Sequence, residues 1–185
     1  MAFTGKVFSQ GCLRGALAVS TFVSVGNATQ PFPRLLQAVS ALAQSLPQPV
    51  LVQYGATDGF SSQYCQSTAF VSMEEFAQHV ADASLLILHA GAGSIIHAVR
   101  AGKVPVVVPR QAVLGEHVDD HQAEFARELA RLGRIVLCED TSLLATAVAD
   151  ALRLQSAAAV QMQELPLVGW IRTLLEEHQV RFAGK

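Results

Sequence analysis

Two short polar stretches carry residue types suited to holding a phosphorylated ligand. The first is His89-Ala-Gly-Ala-Gly-Ser94, which follows four apolar residues at 85–88 and opens a run with helical spacing. Where a strand gives way to a helix, free backbone amides and the positive end of the helix dipole meet an anion. Gly91 and Gly93 allow close backbone approach, Ser94 adds a hydroxyl donor, and His89 adds a ring donor at the strand end. A diphosphate suits this arrangement. A plain tight turn with a capping serine is the competing reading, and the turn alone does not separate the two.

The second stretch is Gly115-Glu-His-Val-Asp-Asp-His-Gln122, in the loop and helix start after the next apolar run. Consecutive strand-to-helix loops of a parallel sheet open on one edge, so Asp120, His121 and Gln122 face the same ligand, where short polar groups suit sugar hydroxyls. Helix-start acids as simple dipole partners, or a metal held by His117 and His121, are the alternatives. No third metal ligand matches that pair. Arg110 directly follows the preceding strand and would meet the carboxylate of a uronate donor, unless it is a solvated loop arginine. Three other chemistries fail on the letters. A dinucleotide fingerprint needs glycine where Ile96 stands, no Gly-Lys-Ser/Thr completes a Walker loop, and Ser94 is not framed as a nucleophile elbow.

The elements that must position these residues alternate along the chain. Strands are expected at 20–25, 50–54, 85–88, 104–108 and 134–138, with a short apolar element at 69–71. Helices are expected at 33–45, 73–81, 94–101, 120–132 and from a Thr141 cap to 155. The fold class is α/β, a doubly wound parallel sheet forming a single Rossmann-like domain at 19–155. An irregular extension at 1–18 precedes it, and a linker at 156–166 leads to an amphipathic C-terminal helix at 167–185 with Trp170, Ile171, Leu174 and Leu175 along one side.

The chain has 185 residues, 51% of them hydrophobic and 15% charged, which excludes disorder and suits strands covered on both faces. With a net charge of -2 and no basic cluster, no nucleic-acid partner is expected. The scattered Cys12, Cys65 and Cys138 form neither a disulfide framework nor a zinc motif. Lys6 and Arg14 before the apolar run 16–25 resemble a signal peptide, but removing that run would delete the strand at 21–25. A cytoplasmic protein is the expectation.

Taken together, the turn at 88–94, Ala101-Gly-Lys-Val-Pro-Val-Val-Val-Pro109 and Asp119-Asp-His-Gln122 resemble the C-terminal domain of family 28 glycosyltransferases, the donor half of a GT-B enzyme. The likeness extends to the small donor-binding subunits of split enzymes, those of the dolichol-pathway UDP-GlcNAc transferase and of PssE-type exopolysaccharide glucuronosyltransferases. Phe22-Val-Ser-Val-Gly26 and Pro31-Phe-Pro-Arg-Leu35 resemble their opening strand and helix. The resemblance implies that His89, Gly91, Gly93 and Ser94 hold the diphosphate of a UDP-sugar and that Asp120, His121 and Gln122 contact its sugar. His97 stands where the family carries a ribose-gripping glutamate. It further implies inverting transfer to a lipid-linked saccharide without a cofactor or essential metal. A membrane-anchored, acceptor-binding glycosyltransferase subunit would be the partner, holding the chain at the inner face of the membrane. In isolation the chain is expected to form a homodimer through its apolar helix face. A nucleotide-sugar-binding or regulatory module without turnover, and a dinucleotide-dependent oxidoreductase, are the alternative functions.

Overall fold

The computed structural model describes residues 20–118 and 121–158, without the side chains of His121 and Ala158. The expected extension, Asp120, most of the expected linker and the C-terminal helix lie outside the described residues.

Six strands form one parallel sheet: β1 (Thr21–Ser24), β2 (Val50–Gln53), β3 (Cys65–Thr68), β4 (Leu85–His89), β5 (Val106–Val108) and β6 (Val136–Leu137), in the order β3-β2-β1-β4-β5-β6. Among the described residues five α-helices accompany the sheet: α1 (Pro33–Leu42), α2 (Met73–Asp82), α3 (Ala92–Arg100), α4 (His121–Arg131) and α5 (Leu144–Ala158). This is the Rossmann-like α/β domain expected from the alternating pattern, with the architecture of a GT-B C-terminal half. The central strands are solid apolar runs because both their faces are covered. Side chains alternate across the sheet, so Phe22, Leu86 and Leu88 pack with Phe76 and Val80 of α2 and Ala98 of α3. On the other face Val23, Ile87, Val106 and Val108 pack with Leu35 and Val39 of α1 and with Leu144 and Val148 of α5. A third cluster joins Val107 of β5 to Ile95 of α3 and Phe125 and Leu129 of α4.

Local signals set the element ends. Pro33 occupies the first turn of α1, and a reciprocal capping box between Ser72 and Glu75 starts α2. Helix α5 begins differently from the expectation. Asp140, not Thr141, supplies the cap by accepting from the Ser142 amide, and a 3-10 turn at Thr141–Leu143 precedes α5. Helix α5 also passes the expected end at 155, reaching Ala158. Within it Gln155 accepts from the Val104 amide and donates to the Gly102 carbonyl, tying α5 to the approach of β5. The short element expected at 69–71 is instead the edge strand at Cys65–Thr68, whose polar side chains follow from its position at the sheet margin.

The strand order reverses between β1 and β4: β2 and β3 lie to one side, β5 and β6 to the other. A crevice beyond the carboxyl ends of the strands at this point is where doubly wound sheets bind ligands.

Candidate functional site

A cleft of about 310 Å³ occupies that crevice. Ser24, Gly26 and Asn27 line it after β1, Gln53 at the end of β2, and His89, Gly91, Gly93 and Ser94 at the junction of β4 with α3. Val71, Met73, Phe76 and His97 close the far side. The structure thus brings together His89, Gly91, Gly93, Ser94 and His97 of the residues expected from sequence.

Helix α3 starts at Ala92, with Gly91 as its N-cap residue, so Gly93 and Ser94 belong to the first helical turn. Their amides are among those left without an intrahelical partner. The three glycines around the cleft differ in what they make room for. A Cβ on Gly26, whose φ is +79°, or on Gly91 would collide with the imidazole of His89. These two glycines accommodate the protein's own ring. A Cβ on Gly93 would meet nothing within 4 Å, so its missing side chain leaves space that the protein does not fill.

Burial pushes the pKa of His89 down from 6.5 to about 4, and the nearby positive charge of Arg110 adds to the effect. A hydrogen bond with the Ser24 backbone acts in the opposite direction, and His117 lowers the value further. At neutral pH His89 is therefore an uncharged ring, with Nδ1 buried and unpartnered. His97 meets Phe76 edge to face, with ring centroids 6.0 Å apart and planes at 82°.

Sequence reasoning missed a chain of polar groups on the near wall. Gly26 N–H donates to Ser24 Oγ at 3.2 Å, Ser24 Oγ donates to Gln53 Oε1 at 2.7 Å, and Gln53 Nε2 donates to Asn27 Oδ1 at 2.9 Å. The available signal was a polar residue closing an apolar strand, Gln53 after Val50, Leu51 and Val52, at the ligand end of the sheet.

The second expected cluster is represented by Gln122, whose Nε2 lies 3.3 Å from His117 Nε2 and whose Oε1 is buried without a partner. Gln122 does not line the cleft around His89, although His117 is near enough to influence the His89 ring. Arg110 is not at the loop surface. It is 1% exposed and turned inward, donating to the carbonyls of Val25 at 2.8 Å and of Gln30 and Glu116 at 2.9 Å. Its guanidinium also lies 4.6 Å from the centroid of the Phe32 ring, with Arg34 also over that ring at 5.3 Å. Its Nη1 and Nη2 donate to backbone carbonyls while its Nε is buried without a partner, so Arg110 is not a solvated loop residue. Arg34 in turn holds the Glu116 carboxylate with Nε at 3.1 Å and Nη2 at 2.8 Å, and donates to the carbonyls of Pro109 and Glu139.

Residues 20–166 match the glycosyltransferase family 28 C-terminal domain. The chain is 29% identical over 161 residues to the UDP-N-acetylglucosamine transferase subunit ALG13 of Yarrowia lipolytica, covering 80% of this chain and 79% of that protein. It is 30% identical over 172 residues to the subunit of the same name from Eremothecium gossypii, covering 72% of this chain and 82% of that protein. Among solved structures, MurG of Acinetobacter baumannii superposes with a TM-score of 0.55 at 20% identity, covering 85% of this chain. The chain spans about half the length of that structure (50%), a likeness of fold.

Proposed function

The chain belongs to the glycosyltransferase family 28 C-terminal domain family, and from that premise we propose that it is the UDP-sugar-binding subunit of a two-component glycosyltransferase. The observation that carries this reading is Gly93: it stands in the first turn of α3, beside free amides, with unfilled space where its side chain would be. A diphosphate placed there accepts from backbone N–H groups at the positive end of a helix. Those donors are fixed before the reaction. As the sugar leaves UDP for an acceptor hydroxyl, negative charge grows on the diphosphate, and pre-oriented dipoles favour that state over the ground state. Inversion at the sugar, a lipid-linked acceptor and attachment to the inner membrane face through the partner belong to this proposal. No helix among the described residues is long and apolar enough to cross a membrane.

The test is calorimetric titration with UDP of the wild-type chain and of Gly93→Val, whose added Cβ meets nothing within 4 Å. The expected result is micromolar-range or tighter binding by the wild type and its loss in the variant. Equal UDP affinity in a folded Gly93→Val would refute the site.

A second reading, a nucleotide-sugar-binding module without turnover of its own, is favoured by the makeup of the cleft. No carboxylate lines it among the described residues, and its two imidazoles are a buried neutral ring and one set edge-on to Phe76. Sugar transfer with partner-containing membranes, measured with Ser94→Ala and Gly93→Val chains that still bind the partner, separates the readings. Loss of turnover in step with loss of UDP binding supports the donor-binding enzyme subunit, and unchanged turnover supports the module.

A further inference from the structure

Helices α1 and α5 pack on the same face of the sheet and leave a groove of about 430 Å³ between them. Ala38, Ala41 and Leu42 of α1 and Ala145 of α5 line it, with Arg34 and Asp140 at one end. Both helices start at that end: Arg34, in the first turn of α1, donates to the Glu139 carbonyl on the approach to α5. Small side chains let another helix come close, since the distance between packed helices follows the residues at the contact. Neither α1 nor α5 carries an acid in its first turn, and Asp140 is committed to the Ser142 amide. The positive ends of two helix dipoles therefore lie together at this end of the groove.

The chain beyond α5 has the reach, the apolar stripe and the charge to fill this groove. Helix α5 ends at Ala158, away from Arg34, where Gln155 holds Gly102 and Val104. Residues 159–166, if extended, reach up to about 28 Å, more than the roughly 22 Å length of a 15-residue helix. They can turn the chain back along α5. Residues 167–180 then bring Leu167, Trp170, Ile171, Leu174 and Leu175 at helical spacing. Running antiparallel to α5, they deliver Glu176 and Glu177 to the end where α1 and α5 begin.

We infer that residues 167–180 form a helix that docks in the α1–α5 groove of its own chain. Trp170, Ile171, Leu174 and Leu175 pack on Ala38, Ala41, Leu42 and Ala145, and Glu176 and Glu177 sit at the starts of the two helices. The docking is independent of the UDP-sugar reading.

Trp170 is the single tryptophan of the chain, so its fluorescence reads this contact. In the full chain, acrylamide quenching of Trp170 is expected to be at least threefold weaker than in urea, and equal at low and high protein concentration. Ala41→Glu and Ala145→Glu place a charge in the groove and should expose Trp170 to quenching. Ala77→Glu, on the exposed side of α2, should not. A cooperative urea transition in each variant separates exposure of Trp170 from loss of the fold. Truncation before Pro166 gives a second reading that needs no groove variant. Amide exchange should rise at least threefold over 37–45 and 141–149 and stay unchanged in β1 and β4. Quenching as free in the native chain as in urea overturns the docking, and so does shielding that survives both groove variants. Shielding that vanishes on dilution assigns the segment to a second copy and overturns it equally.

Discussion

His89 is uncharged at neutral pH despite standing beside a proposed anion site. Its lowered pKa means that between pH 6.5 and about 4 the unfolded chain takes up a proton there that the native chain refuses. Native stability therefore falls as pH drops through that window, by about 3 kcal/mol when complete. Urea unfolding from pH 7.5 to 4.5 should show this loss in the wild type and a shallower loss in His89→Gln, and parallel profiles would contradict the assignment. For the same reason UDP affinity should not strengthen between pH 8 and 6 through His89. The glycine turn was legible in the sequence because strand, glycines and helix are consecutive. Asn27, Gln53 and the inward turn of Arg110 were not, because each depends on partners far along the chain, such as Arg110 on Val25 and Gln30.

Three loops at the carboxyl edge of the sheet are tied by a pair of arginines. Arg110 reaches the β1–α1 loop, and Arg34 at the start of α1 reaches Pro109, Glu116 and Glu139 after β5 and β6. The Arg34–Glu116 side chains are only 20% and 4% exposed, so the pair is a largely desolvated one. Removing one partner of such a pair strands the other, at a cost of about 3 kcal/mol or more. Arg34→Met should lose that much stability and raise amide exchange across residues 111–118, the loop leading to Gln122. Arg34→Lys, which keeps the charge but not the fork, should fall between. Unchanged exchange in Arg34→Met would rule out the clamp. Among the elements themselves, the apolar runs of β1, β2, β4 and β5 announced their strands and Pro33 announced α1. Strand β3 did not, since Cys65, Gln66, Ser67 and Thr68 at a sheet edge need no apolar pattern.

The proposed partner would supply the other wall of the interdomain cleft that a GT-B enzyme uses. Exposed apolar side chains are available for such a contact: Val113 and Val118 after β5 are 86% and 78% exposed, Phe70 before α2 is 52% exposed and Met73 at its first position 64%. The isolated chain is expected to bind UDP yet transfer no sugar until membranes carrying the partner are added. Full transfer by the purified chain alone would refute the two-component reading. Truncation before Pro166 tests whether the terminal segment takes part in docking the partner, and retained docking would confine the interface to the rest of the chain. The strand order has a further consequence for how the molecule forms. Strand β1 pairs on one side with β2 and on the other with β4, whose register joins Thr21 to Leu85. A nascent chain that has not yet delivered β4 leaves one long side of β1, with its row of amides and carbonyls, open to whatever strand arrives first. The ligand cleft, whose lining runs from Ser24 to His97, cannot assemble before β4 and the start of α3 have been delivered. Stalled chains ending before Leu85 would present an adhesive edge in place of a binding site.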